Sequence, residues 1–145
     1  RRSSDLPGGS GEVKTIENLA KSGGEVFSLP ASGLVELYCA ADIFMLPTLI
    51  ETFGMVLVEA MAAGLPIVTT DAPGVRDVID EGVNGLKSQV KDVDAMAELI
   101  MKVSGDRLLA EKLSANSIRD ARDHYDWKTV TGKYLALYGE TIRKK

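Results

Sequence analysis

Two short apolar runs constrain this chain most: "IFMLP", from Ile43 to Pro47, and "PIVTT", from Pro66 to Thr70. Each is bounded by proline and too short for a helix, and the first is apolar without interruption, the pattern of a strand covered on both faces. Between them lies "FGMVLVEAMAAG", a helical pattern closed by Gly64. The alternation extends in both directions. "EVKTIENLAKSG" (Glu12 to Gly23) puts Val13, Ile16, Leu19 and Ala20 on one helical face, and "EVFSL" (Glu25 to Leu29) reads as a strand. Ser32 is placed to cap the helix "GLVELYCAAD". Downstream come a short helix at Val75 to Asp80, a turn at "EGVNG" and a strand near Leu86 to Val90. From Asp92 the pattern is helical, with breaks near "SGD" and "DHYDW". Strands and helices in alternation predict an α/β fold, a Rossmann-like parallel sheet with helices on both faces.

Composition excludes several function classes. At 145 residues, 45% of them hydrophobic and 26% charged, the chain has the balance of one globular domain. A formal charge of −4 argues against a broad nucleic-acid or polybasic membrane face. A single cysteine, Cys39, leaves no disulfide framework and no thiolate metal site. No apolar run approaches the roughly 20 residues that cross a bilayer, and the polar N-terminus has no signal-peptide core. These features predict a reducing, cytoplasmic setting, with residues 1–11 a linker or boundary and 12–145 the folded domain.

The chemistry concentrates in "LIETFGMVLVEAMAAGLP", Leu49 to Pro66, where Glu51 and Glu59 flank an apolar or small run. "PTLIETFG" follows a strand and precedes a helix, which is where open α/β sheets bind ligands. The first turn of that helix leaves backbone N–H groups unpaired at an electropositive end. Gly54 has no side chain to block a ligand from those amides, and phosphate is the natural guest. Glu51 stands just ahead of the amides; Glu59, further along the flank, suits vicinal hydroxyls because both carboxylate oxygens accept. A phosphate between two hydroxyl-bearing units describes a nucleoside diphosphate sugar. Periodicity alone favours a blander reading, a solvated loop acid and a helix-edge acid. Elsewhere Cys39 and Trp127 read as core residues and His124 as a surface residue. Asp71 is equally a ligand neighbour or a turn former, and Met96, Leu99, Ile100 and Val103 point inward.

Glu51, seven residues and then Glu59, within "ETFGMVLVEAMAAGLPIV", resembles the signature of retaining GT-B glycosyltransferases, the glycosyl transferases group 1 superfamily. "LVELYCAADIFMLPT" is similar to the helix and strand before that motif, and "TTDAPGVRDVIDEGVNGL" to the loop after it. "HYDWKTVTGKYLALY" is similar to the family's aromatic-marked last helix. The resemblance implies the C-terminal, donor-binding half of such an enzyme, with a nucleotide-sugar-binding domain over 12–145. Glu51 then lies beside the donor sugar and supports charge at the reacting centre, and Glu59 holds the ribose hydroxyls. The amides around Phe53, Gly54 and Met55 meet the sugar and diphosphate, and Pro30 and Ala31 touch the base through backbone. The implied reaction is retaining transfer from a UDP-, GDP- or ADP-sugar, with no metal, no further cofactor and no nucleic-acid partner.

The departures are as informative. The arginine and lysine that neutralise the diphosphate in the family have no counterpart before Glu12. The G-G-x-x-E of the family stands here as Pro73, Gly74, Val75, Arg76 and Asp77. The half that binds the acceptor (a sugar, a lipid or another molecule) is absent, so the chain alone is expected to be inactive. Contact with a membrane face would also depend on that half. Two alternatives keep the fold: a non-catalytic nucleotide-sugar-binding or regulatory module, and another GT-B enzyme such as a glycoside phosphorylase.

Overall fold

The computed structural model describes residues 31–143, with side chains from residue 33. The expected helix at Glu12 to Gly23 and strand at Glu25 to Leu29 lie outside the described residues. The chain divides after Glu36 into two compact units. Of the first, only the opening of α1 (Ala31–Ala40) is described.

The second unit runs through β1 (Phe44–Leu46), α2 (Met55–Ala62), β2 (Ile67–Thr70), β3 (Leu86–Ser88), α3 (Val93–Gly105) and α4 (Arg107–Asp120). A π-helical turn, Ala121–Tyr125, then leads into α5 (Trp127–Arg143). The three strands are parallel in the order β1-β2-β3, with Phe44 opposite Ile67 and Val68 opposite Leu86. All four residues of β2 are buried, and its two apolar ones enter different cores. Ile67 joins Leu57, Ala60 and Met61 of α2, whereas Val68 joins Leu86, Met96, Val103 and Leu113. Helices therefore cover both faces of the central strand. The uninterrupted apolar run at Ile43 to Pro47 predicts the same for β1, but there Met45 is 48% exposed, because β1 pairs only with β2 among the described strands.

Local chemistry sets the element ends. Leu57, Ala60 and Met61 recur at helical spacing and form the buried face of α2, and Gly64 closes it by donating its N–H to Met61 O at 3.0 Å. Asp92 caps α3 by accepting from Ala95 N at 2.9 Å, and Asp106 caps α4 by accepting from Leu109 N at 3.0 Å. Asn84, buried in the turn at 81–85, accepts from Asp80 N at 2.8 Å and donates to Asp120 Oδ2 at 3.0 Å. Ser117 of α4 donates to Asn84 O at 2.7 Å, so this turn is tied to α4 from both sides.

Several expectations need correction. Val75 to Asp80 forms overlapping turns, not a helix, although Val75, Val78 and Ile79 are buried as its apolar spacing requires. Bonds of helical span, Arg76 N to Ala72 O at 3.4 Å and Ile79 N to Val75 O at 2.8 Å, alternate with shorter ones, Val75 N to Ala72 O and Val78 N to Val75 O, so no regular ladder forms. Trp127 is 81% exposed because it opens α5, a helix with no buried residue among those described. Cys39 is exposed, since the core-facing side of α1's last turn is taken by Tyr38. The strands at Ile43 to Pro47 and Leu86 to Val90 are trimmed to three residues each.

Leu57 is fully buried against β2. Leu57→Ala should lower the unfolding free energy by about 2–5 kcal/mol, read as a shifted urea midpoint with an unchanged m-value.

Candidate functional site

The carboxyl ends of β1 and β2 are joined beyond the last rung of the ladder. Thr48 donates its N–H to Thr70 Oγ1 at 3.1 Å, and the Thr70 hydroxyl donates back to Thr48 O. Thr69 Oγ1 donates to Leu46 O at 2.8 Å. Two threonines on a fully buried strand thereby satisfy their hydroxyls on the backbone of the neighbouring strand and loop.

The next contact fixes Glu51. Its N–H donates to Pro73 O at 3.0 Å, so the loop after β1 rests on the loop after β2. A Cβ on Gly74 would fall on the Glu51 carbonyl, so at φ +83° only glycine fits this approach. The Glu51 side chain is half-buried, and its Oε1 accepts from Thr52 N at 3.2 Å.

Gly54 turns the chain from this loop into α2 at φ 77° and ψ 51°. No side chain caps the helix. Leu57 N and Val58 N both reach back to Gly54 O, at 2.8 and 3.3 Å. Among the described residues no backbone acceptor takes the N–H groups of Phe53, Gly54 or Met55. They stand at the electropositive end of the helix. Gly54 itself is buried, and a Cβ on it would meet Leu57 Cδ1 at 2.8 Å and Glu51 Cγ at 3.3 Å, so its missing side chain makes room for the protein's own side chains rather than for a ligand. Phe53 packs its ring edge against Tyr125, centroids 5.8 Å apart, and Met55 is exposed.

Glu59 is held differently. It lies exposed on α2 and accepts from the Tyr38 hydroxyl, Oη to Oε2 3.1 Å. Among the described residues no hydrogen bond joins Glu51 to Glu59. Pro30 lies outside the described residues, and Ala31 opens α1 in the first unit.

A charged cluster that sequence reasoning missed borders the same strand end. Arg76 donates from Nε to Asp71 Oδ1 at 2.9 Å, and from Nη2 to Oδ2 at 3.2 Å and to the Asp71 carbonyl at 3.1 Å. Lys87 of β3 stands 3.8 Å from Asp71 Oδ1. Hydrogen bonding from Arg76, then its charge, outweighs the loss of hydration and lowers the Asp71 pKa below its ordinary 3.8. Asp71 is thus more than a turn former. Its signal in the sequence was only the five-residue spacing to Arg76. Ser88 Oγ, at the end of β3, is buried without a partner. His124 is exposed, as expected. Among the described residues no cluster of three His, Cys, Asp or Glu side chains gathers to hold a metal, and no helix is long and apolar enough to cross a membrane.

Comparison with known proteins places this geometry. Residues 8–120 match the family model described as glycosyl transferases group 1. An N-acetylgalactosaminyltransferase of Campylobacter jejuni, acting on N,N'-diacetylbacillosaminyl-diphospho-undecaprenol, is 34% identical over 140 residues, covering 95% of this chain and 37% of the relative. Anabaena HepE in complex with UDP superposes with a TM-score of 0.84 at 23% identity, over 93% of this chain and 38% of that one. The C-terminal domain of a group 1 glycosyl transferase, LpcC of Francisella tularensis, has a TM-score of 0.68 at 21% identity, over 81% and 62%. The chain spans between 21% and 37% of the length of the curated relatives it matches.

Gly74→Ala should cost about 1–3 kcal/mol and move the Glu51 amide resonance, because the new Cβ displaces the Glu51 carbonyl. The depressed Asp71 pKa means that its contribution to stability is complete above about pH 4. That contribution is lost as pH falls through the lower folded-state value. An NMR titration should show the Asp71 carboxyl titrating below 3.8, and Arg76→Gln should raise it.

Proposed function

We propose, for a chain that belongs to the glycosyl transferases group 1 family, a role as the donor-binding half of an enzyme. That enzyme transfers a sugar from a nucleotide sugar to an acceptor with retention of anomeric configuration. The observation that carries the proposal is the uncapped start of α2 behind Gly54, beside a Glu51 whose backbone is clamped to Pro73.

In this reading the donor diphosphate sits on the amides of Phe53, Gly54 and Met55, whose dipoles favour negative charge. As the bond from the anomeric carbon to the diphosphate oxygen breaks, negative charge grows on the leaving phosphate and positive charge on the sugar. Fixed amides on one side and the Glu51 carboxylate on the other oppose those two charges, the arrangement that stabilises a transition state without reorganisation. Glu59 accepts the ribose hydroxyls. No metal is assigned a role. HepE has been solved with UDP and with UDP-glucose, which supports a nucleotide-sugar donor on this fold.

The acceptor site belongs to the remainder of a longer protein, a reading supported by the 37% of the Campylobacter jejuni relative's length that this chain spans. Alone, the chain binds donor without turning it over. Leu135, Leu137 and Tyr138 are exposed on α5, which suits a helix that packs against that remainder.

Calorimetric titration with UDP, GDP and ADP tests the donor site. One nucleotide should bind saturably, and Glu59→Ala should weaken it by about tenfold or more, the loss of a charged hydrogen-bonding partner. In the full-length protein Glu51→Gln should lower kcat by about 100-fold or more and leave the KM for donor nearly unchanged. Nucleotide binding by the full-length protein without transfer to any acceptor would favour the non-catalytic module instead.

A further inference from the structure

We propose that Tyr38 is a positioning residue for Glu59, its phenol fixing one carboxylate oxygen so that the remaining lone pairs face the ribose diol. The proposal rests on the reading of Glu59 as the ribose ligand.

Glu59 is exposed on the second turn of α2 and, left alone, would sample many rotamers. Ordering so flexible a side chain at the moment of binding costs about 2- to 10-fold in affinity. The Tyr38 bond to Oε2 at 3.1 Å supplies that order beforehand. An ionised carboxylate has about four acceptor sites. Tyr38 occupies one, and a diol needs two, so the phenol leaves the ligand's share intact.

Tyr38 is itself well held. Its ring packs against Phe44 at the start of β1, centroids 5.8 Å apart and tilted by 50°, and both rings rest on the core that contains Leu57 and Met61. The geometry therefore links α1, β1 and α2 through one side chain. Burial, then the hydrogen bond and charge of Glu59, push the phenol up to about 12. Tyr38 thus stays protonated, and a donor, at any pH where the protein works. Nothing in its spacing marks this role: in the sequence it is one more large residue in "LVELYCAA".

The test uses the full-length protein, whichever of UDP, GDP and ADP it binds, and the 2′-deoxy form of that nucleotide. Both dissociation constants are measured for wild type, Glu59→Ala and Tyr38→Phe. Wild type should prefer the ribonucleotide. Glu59→Ala should bring the preference close to one. Tyr38→Phe should weaken the ribonucleotide about 2- to 10-fold and the deoxynucleotide less, narrowing the preference. Its melting temperature should stay at the wild-type value, because the ring and its Phe44 contact remain. If Tyr38→Phe keeps the wild-type preference while Glu59→Ala loses it, the positioning role is overturned and the ribose reading stands. If Glu59→Ala keeps the preference, the ribose reading falls, and this proposal with it. Absence of binding by all three nucleotides would overturn both.

Discussion

The exchange between Thr48 and Thr70 is the contact on which the rest of the site depends. A parallel ladder ends where its strands diverge, and the chain beyond Leu46 and Thr70 would be free to separate there. One buried threonine hydroxyl prevents this, accepting from Thr48 N–H and donating to Thr48 O. It copies with a side chain the donor and acceptor that another rung of backbone would have offered. Burial raises the stakes, since breaking the exchange would strand polar atoms away from water. From that anchored point the loop needs only a few residues to reach Glu51, whose own N–H is caught by Pro73.

Two glutamates of one motif are thus immobilised by unlike means. Glu51 is fixed through its backbone, by a loop that can approach only because Gly74 lacks a side chain. Glu59 rides on a rigid helix, and its carboxylate is steadied by a phenol from α1. In the proposed function, the first arrangement suits a group that must stay put while charge develops beside it. The second suits a group that must present two oxygens to a flexible ligand. Between them the uncapped amides of α2 provide positive potential without any cationic side chain of their own.

Much of this was legible in the sequence. The two short proline-bounded runs announced β1 and β2; Ile67 and Val68 of β2 enter separate cores, whereas the fully apolar β1 leaves Met45 exposed. Gly54, Gly64, Asp92 and Asp106 marked helix boundaries through chemistry that acts within a few residues. The errors have a common cause. The apolar spacing of Val75, Val78 and Ile79 correctly signalled burial, but overlapping turns satisfy that spacing as well as a helix does. Trp127 reads as a core residue from its type and Cys39 from an apolar helix face, and neither signal says which helix face has a partner.

By itself, then, the sequence determined most of the helices and strands among the described residues, that the sheet is parallel, and which loop carries the acids. Those properties follow from periodicity and from capping groups close together in the chain. The tertiary structure alone decided what holds the acids in place. Thr48 meets Thr70 across 22 residues, Tyr38 meets Glu59 across 21, and Glu51 is brought against Pro73. Such pairings exist only once β1, α2 and β2 have packed, and no local pattern encodes the distance between two side chains that the fold brings together.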